Sequence, residues 1–192
     1  MSHSDAELMR RVQDGRLESF DEIVRRYHAA LKRVAASKLG DETRAEDIVQ
    51  ETFLAVYAAR DTYNPKFAFR TWLWTILLNL CRRDWKRKKR RPAEFVRSTF
   101  DASQAADFPE PYTGETGLSR LLQLERNEQL AELLNELPEV QADAVRLRFF
   151  GGLKYDEIAR TMGSSLAGAK VRVRKALLTL SRRLRDESGE MP

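Results

Sequence analysis

One stretch of this sequence constrains the fold more than any other, because it joins an apolar, aromatic half to the strongest cationic run in the chain. It is FRTWLWTILLNLCRRDWKRKKRR, from Phe69 to Arg91. At helical spacing the apolar residues share one stripe, which comprises Leu73, Ile76, Leu77 and Leu80. A second, polar stripe comprises Asn79, Arg82, Arg83, Lys86 and Arg90. The pattern predicts a helix with one face in a core and the other turned outward.

The cationic half of this helix predicts contact with a polyanion. Eight of the ten residues from Arg82 to Arg91 are Lys or Arg, a density that repels itself unless water or a partner such as phosphate neutralises it. A solvated helix end would explain an isolated charge run. Here, however, Trp72, Trp74 and Trp85 lie beside or within the run. Flat rings interleaved with cations are typical of surfaces on which unstacked bases stack.

Composition limits the other possibilities. Of 192 residues, 42% are hydrophobic and 33% charged, enough for one moderate core or, as we expect, two small ones. The single cysteine, Cys81, permits no disulfide within the chain, and with two histidines it cannot complete a zinc finger. The longest apolar run, Trp72 to Leu78, is too short to span a bilayer, and a signal peptide is not evident. We expect a cytoplasmic all-α protein with no membrane insertion, no metal and no cofactor.

The segment from Thr43 to Arg60 predicts a helix with an unusual outward face. That face sets a leucine among acidic and polar side chains, and it comprises Asp47, Gln50, Glu51, Leu54 and Ala58. Such a leucine is consistent with a partner surface, but on spacing alone a scattered exposed leucine explains it equally well. A nuclease site on Glu46, Asp47 and Glu51 is poorly supported, because no histidine or second acidic motif accompanies them. We therefore expect no catalytic residue.

A change of composition divides the chain. Residues 92–117 contain prolines, glycines and five acidic residues against a single basic one, Arg97, which predicts a flexible acidic linker. Helical periodicity returns after it and ends in a pair of helices separated by a tight turn at Gly163. The second helix is capped by Ser164 or Ser165 and has a basic outward face, which is typical of a helix-turn-helix. Its outward cations are Lys170, Arg172, Arg174 and Lys175.

The motifs, in this order, resemble the sigma factors of the extracytoplasmic-function group, within the sigma-70 family. They are AEDIVQETF (45–53), TWLWTILLNLCRRDWKR (71–87), LPEVQADAVRLRFFGGLKYDEIARTMG (137–163) and KVRVRKAL (170–177). The resemblance covers nearly the whole chain apart from the linker. It implies a dissociable initiation subunit of bacterial RNA polymerase with two small helical domains, region two (1–91) and region four (118–192). Region two would read and melt the minus-ten promoter element, and region four would read the minus-thirty-five element.

The resemblance also implies partners and site residues. The partners are core RNA polymerase, promoter DNA in duplex and single-stranded form, and an anti-sigma factor. The residues implied for docking on the polymerase are Asp47, Gln50, Glu51 and Leu54. Those implied for the minus-ten element are Tyr63, Asn64, Lys66, Trp72, Asn79, Arg82, Arg83 and Lys86. Those implied for the minus-thirty-five element are Ser165, Lys170, Arg172, Arg174 and Lys175.

Some alternatives remain open on the residues alone. A stand-alone helix-turn-helix regulator would bind duplex DNA without polymerase, but it has no use for base-stacking rings beside its cationic helix. The loop Asp61 to Phe67 resembles a segment that captures a flipped base, with Tyr63 and Asn64 forming the pocket. The alternative is that Tyr63 only covers the end of the preceding helix. Asp84 and Arg87, three residues apart, are expected to pair with each other.

Overall fold

The structure, a computed structural model, describes residues 3–90 and 129–187. In these two ranges it consists of helices joined by turns and loops. The predicted linker, residues 92–117, lies outside the described residues. A single turn of 3-10 helix, Arg60–Thr62, follows the third helix. The helices are α1 (Asp5–Gln13), α2 (Glu18–Leu39), α3 (Glu42–Ala58), α4 (Phe69–Arg90), α5 (described over residues 129–135), α6 (Glu139–Phe149), α7 (Tyr155–Thr161) and α8 (Leu166–Glu187). The all-α prediction is confirmed.

The first helices begin and end at the residues that local chemistry favours. At the start of α1, Ser4 Oγ accepts a hydrogen bond from the Glu7 amide (3.3 Å), and the Glu7 carboxylate accepts one from the Ser4 amide (2.8 Å). This reciprocal pair is a capping box, which satisfies two amide groups that the helix leaves unpaired. Gly40 ends α2 in the left-handed conformation (φ 65°), and its amide donates to the Ala36 carbonyl.

The interior is continuous between the two halves of the chain, which are helices α1 to α4 and helices α5 to α8. Helices α1 to α4 surround a core of fully buried side chains, among them Leu8, Ile23, Leu31, Val49 and Leu77. The same cluster extends into α6, α7 and α8, because α4 packs on α7 and α2 packs on α6. A second, smaller cluster joins α5, α6 and α8, and it comprises Leu133, Leu134, Leu137, Ala142, Val145, Ala176 and Leu180. The two small cores expected from the sequence are therefore joined by a contact that the sequence does not predict.

Trp74 lies at the centre of this contact. Its ring is completely buried, and it packs so closely on Gly151 that a Cβ atom added there would lie 3.1 Å from Trp74 Cη2 and 2.9 Å from the Leu147 carbonyl oxygen. Trp74 was expected from the sequence to be one of the rings on which bases stack, but its burial excludes this in the structure. The ring points inward from α4 and joins the two halves instead.

Burial also decides the chemistry of the single cysteine. Cys81 is buried in α4, and removal from water raises the pKa of its thiol to about 12. It therefore behaves as a small apolar core residue and not as a nucleophile at neutral pH. None of the helices in the described ranges is both long and apolar enough to cross a membrane.

Candidate nucleic-acid interface

Helix α3 presents the mixed acidic and apolar face that its sequence predicts. Ile48, Val49 and Phe53 are buried on one side of the helix. On the other side Leu54 has 70% of its surface exposed. Its polar neighbours on that side, Asp47, Gln50 and Glu51, are exposed as well. A leucine held in water among carboxylates contributes nothing to the interior, so this face is available to a partner.

The side chain of Glu51 also touches the basic helix. Its carboxylate pairs with the guanidinium of Arg83 on α4, and both side chains are largely exposed. The residues implied for polymerase docking and for minus-ten DNA are thus direct neighbours. An exposed pair of this kind is worth little in stability, so either partner is free to exchange it for an external charge.

The loop between α3 and α4 differs from the expectation at Tyr63. Its ring is only 7% exposed and stacks on Trp72, with ring centroids 5.3 Å apart. It also meets the edge of Phe69 at 5.7 Å, and its hydroxyl donates to the Phe67 carbonyl (3.0 Å). An aromatic cluster of this size gains more from exclusion of water than an exposed ring does. In this structure Tyr63 closes the start of α4 and presents no face to a base, so its implied stacking role is not supported.

The tip of the same loop presents other side chains. Asn64 and Lys66 are exposed, and Asn64 Oδ1 accepts a hydrogen bond from the Lys66 amide (2.9 Å), which fixes the turn. Phe67 has 69% of its surface exposed. Sequence reasoning did not select Phe67, although it is an aromatic residue outside any helical stripe and next to a lysine. The loop therefore offers an amide, a cation and a ring to the outside.

The outward face of α4 carries the expected polar residues, but several are engaged within the chain. Asn79 and Lys86 are exposed, and Trp72 is half-buried under Tyr63. Arg82 is half-buried, and its side chain reaches toward α6. The expected pair is present, since Arg87 donates to Asp84 (2.8 Å). Asp84 is buried and also pairs with Arg44.

Helices α7 and α8 form the helix-turn-helix. Gly163 adopts φ 58° in the turn between them, a conformation that residues other than glycine rarely adopt. Ser165 is the cap of α8, because its Oγ accepts a hydrogen bond from the Gly168 amide (3.0 Å). The inward side of α8 is fixed by Ala169, Val173 and Ala176, which are buried.

The basic side of α8 faces outward over its first half. Lys170, Arg174 and Lys175 are exposed, whereas Arg172 is half-buried and its Nη1 has no hydrogen-bond partner. Within the described ranges no carboxylate pairs with any of these four cations. Their charge is consequently available to an external anion. Lys170, Arg174 and Lys175 face outward as the sequence predicts, whereas Arg172 is turned partly toward the protein.

Two family models match this chain. "Sigma-70 region 2" matches residues 23–91 and "Sigma-70, region 4" matches residues 127–180. The protein is 31% identical to the RNA polymerase sigma factor NccH of Alcaligenes xylosoxydans, over 92% of each chain. It is 30% identical to the ECF RNA polymerase sigma-E factor of Escherichia coli, over 90% of each chain.

Solved structures agree with these relatives. The fold is similar to that of CnrH in complex with the cytosolic domain of CnrY, with a TM-score of 0.72 and 26% identity, over 97% of this chain and 99% of that one. It is also similar to the sigma factor RpoE in complex with the anti-sigma factor NepR from Bartonella quintana, with a TM-score of 0.64 and 26% identity, over 88% and 98% of the chains. The chain belongs to the extracytoplasmic-function sigma factors of the sigma-70 family and is an RNA polymerase sigma factor. The stand-alone regulator is not favoured, because the similarity includes region two.

Proposed function

We propose that this sigma factor binds core RNA polymerase through the outward face of α3, opens the minus-ten element with the α3–α4 loop and α4, and reads the minus-thirty-five element with α8. In this proposal residues 1–91 form region two, residues 92–117 the linker and residues 118–192 region four. The protein itself is non-catalytic and acts in the cytoplasm, where the polymerase is. The family match supports this division of labour.

The observation that carries the proposal is the exposure of Leu54. A leucine with 70% of its surface exposed, in a helix whose Ile48, Val49, Phe53 and Val56 are buried, is the kind of anchor that a partner covers. The exposed acids around it, Asp47 and Glu51, would steer the face toward a basic surface of the polymerase. Gln50 adds an uncharged hydrogen-bonding group at the same level of the helix.

For the minus-ten element we infer that the exposed loop tip takes the part that the sequence analysis gave to Tyr63. Extruding a base costs a few kcal/mol, and stacking on an aromatic ring returns about 1–3 kcal/mol per base. Phe67 offers the exposed ring, Asn64 a hydrogen-bonding amide, and Lys66 a charge for the adjoining phosphate. Asn79, Arg82, Arg83 and Lys86 continue this surface along α4, with Trp72 at its base.

For the minus-thirty-five element we propose that the amino-terminal half of α8 enters the major groove. Arg172 and Arg174 are the residues with the fork geometry that pairs with guanine, whereas Lys170 and Lys175 supply charge to phosphates. Ser165 is already used as the helix cap, so we assign it a positioning role at the start of the helix.

An anti-sigma factor is a further proposed partner. The two solved structures cited above are described as complexes, one with the cytosolic domain of CnrY and one with the anti-sigma factor NepR. Their similarity to this chain supports regulation of the same type. Binding of such a partner would compete for the surfaces described here.

In vitro transcription with purified core polymerase tests the proposal. The decisive variant reverses the charges of Asp47 and Glu51 and replaces Leu54 by alanine. It should lose affinity for core polymerase and promoter-dependent transcripts while retaining its helicity by circular dichroism.

The matched control changes an equivalent exposed patch on α2. Leu17 is 58% exposed, and Glu18 and Asp21 lie exposed beside it. Leu17→Ala with both acids reversed should leave polymerase binding unchanged. Equal affinity of the α3 variant and the wild type for core polymerase would contradict the proposal.

A further inference from the structure

An apolar side chain lies in the middle of the basic side of α8. Val171 is 50% exposed, although the neighbouring apolar residues of the same helix, Ala169 and Val173, are buried. Val171 lies two positions from each of these residues, and two positions correspond to about 200° around a helix. The side chain of Val171 therefore points away from the packed side of α8.

The residues around Val171 carry positive charge. Lys170 precedes it directly, Arg174 and Lys175 follow one turn later, and all three are exposed. No carboxylate of the described ranges pairs with them. Ala167, one turn before Val171, is exposed on the same side of the helix. A small apolar surface is thus bordered by cations, whose charge is complementary to the phosphates that line a groove of duplex DNA.

Packing within the protein does not require a valine at this position. The two apolar clusters of the described residues do not include Val171. An exposed valine is also a weaker helix former than lysine or alanine, so it does not stabilise α8 itself. Its stiffness is useful on binding, because one side-chain conformation dominates for valine in a helix. The two methyl groups are therefore held in place at little cost in entropy.

The major groove offers one apolar group to such a side chain. Every base presents hydrogen-bond donors or acceptors there, and thymine alone adds a C5 methyl group. The side chain of valine neither donates nor accepts a hydrogen bond. Pressed against a polar base edge, it would leave a donor or acceptor without a partner, which costs free energy. Against a thymine methyl, both groups lose only their contact with water.

We propose that Val171 reads the C5 methyl group of a thymine in the minus-thirty-five element, and that the exposed Ala167 extends this apolar contact. The inference rests on the proposed function, because it requires that the amino-terminal half of α8 enters the major groove. Val171 then determines specificity through an apolar contact, beside the arginines that act through hydrogen bonds.

Deoxyuridine isolates the methyl group, because it has the hydrogen-bonding groups of thymine and lacks only the C5 methyl. The holoenzyme, assembled from full-length protein and core polymerase, first selects a minus-thirty-five element from a randomised duplex library. The selected element should hold a thymine at a fixed position on one strand. Deoxyuridine at that position should lower the affinity of the wild-type holoenzyme about threefold to fourfold, the effect of one buried methyl group.

The variant Val171→Ala should lose this sensitivity to the methyl group. It should bind the thymine duplex about threefold more weakly than the wild type and bind the thymine and deoxyuridine duplexes equally, which shows a direct contact in a double-mutant cycle. A structural defect of α8 would instead weaken both duplexes and leave the preference for the methyl group intact. The matched control is Val140→Ala on α6, where the valine is 47% exposed; its preference should equal that of the wild type.

The outcomes separate the part of Val171 from the placement of α8. An element that changes on Arg174→Ala, but that holds no fixed thymine or binds equally well with deoxyuridine, would overturn the role of Val171 and leave α8 in the groove. Weaker binding of Val171→Ala to core polymerase, with the methyl preference retained, would place the residue in a protein interface and overturn the role as well. If the holoenzyme selects no element at all, the placement of α8 in the proposed function is wrong, and the role of Val171 fails with it.

Discussion

Helices α4 and α8 are the two basic helices of the molecule, and their charges are held differently. Both have 22 residues and an outward face rich in Lys and Arg. On α8 the four cations of the first half have no acidic partner within the described residues. On α4, Arg82, Arg83 and Arg87 each pair with a carboxylate of the chain. A similar sequence pattern thus gives cations without an acidic partner among the described residues on α8, and arginines paired with carboxylates on α4.

The difference predicts different modes of DNA binding. The α8 surface is ready for a duplex, since its cations need to lose only water and counterions. The arginines of the α4 surface must exchange internal carboxylates for phosphates. The free energy gained per phosphate contact is therefore smaller on α4 than on α8. The α4 surface should therefore be more selective than the α8 surface. Only a strand whose bases also stack on the loop tip gains enough free energy to offset the loss of the internal ion pairs.

The largest expected effect is a loss of stability on replacement of Tyr63. It distinguishes aromatic residues near α4 that stabilise the fold from those that contact DNA. Tyr63→Ala should lower the free energy of unfolding by about 3–5 kcal/mol, because it removes a buried ring from the cluster with Trp72 and Phe69. Urea denaturation followed by circular dichroism measures this. Phe67→Ala is the matched control and should leave the stability unchanged while reducing promoter opening. A stable Tyr63→Ala variant that fails only in opening would restore Tyr63 as the base-stacking residue.

The next effect concerns specificity at α8. Replacement of Arg172 or Arg174 by alanine should each cost about 1–3 kcal/mol of discrimination at one guanine of the minus-thirty-five element. Arg172 is half-buried, so its replacement should also perturb the packing of α8 slightly. Selection from randomised minus-thirty-five libraries provides the measurement. Recovery of the wild-type motif by both variants would show that neither arginine reads a base.

Lysines of the same helix should act without specificity. Lys170→Ala or Lys175→Ala should weaken binding to all duplex sites alike and lower the slope of log affinity against log salt by about 1. Titrations of labelled duplexes at several salt concentrations measure the slope. A change of sequence preference without a change of slope would place these lysines at base edges instead.

The smallest effect on stability is expected at the exposed ion pair between Arg83 of α4 and Glu51 of α3. Arg83→Gln should change the free energy of unfolding by less than about 1 kcal/mol, since Arg83 and Glu51 are both largely exposed. Its loss should nevertheless reduce minus-ten binding by the holoenzyme. A destabilisation as large as that of Tyr63→Ala would mean that the pair fixes α3 against α4, and the surface there would be structural.

Local chemistry explains which features the sequence predicts well. The pairing of Asp84 with Arg87, the tight turn at Gly163 and the cap at Ser165 all depend on residues within a few positions of one another. Helical periodicity likewise predicts the packing faces of α3 and α8, because 3.6 residues per turn fixes which side chains share a side.

Features that depend on distant residues are the ones that the sequence does not predict. Asp143 of α6 accepts hydrogen bonds from Arg82 of α4, 61 positions away, and from Lys38 of α2, 105 positions away. No spacing rule brings such residues together; only the packing of α6 against α2 and of α4 against α7 does. Tyr63 is a similar case. In a turn before proline, a tyrosine has the same sequence pattern whether its ring faces outward or folds back onto Trp72.

The most direct test of the comparison is to measure the affinity of the full-length protein for two probes, with and without core polymerase. One probe is a minus-thirty-five duplex and the other a single-stranded minus-ten oligonucleotide. We expect core polymerase to raise affinity for the minus-ten strand about tenfold or more, because Arg82, Arg83 and Arg87 exchange their internal carboxylates only where the polymerase adds contacts to the same strand. Affinity for the duplex should change by less than about twofold. Equal enhancement of both probes, or none for the minus-ten strand, would contradict the account of an available α8 and an occupied α4.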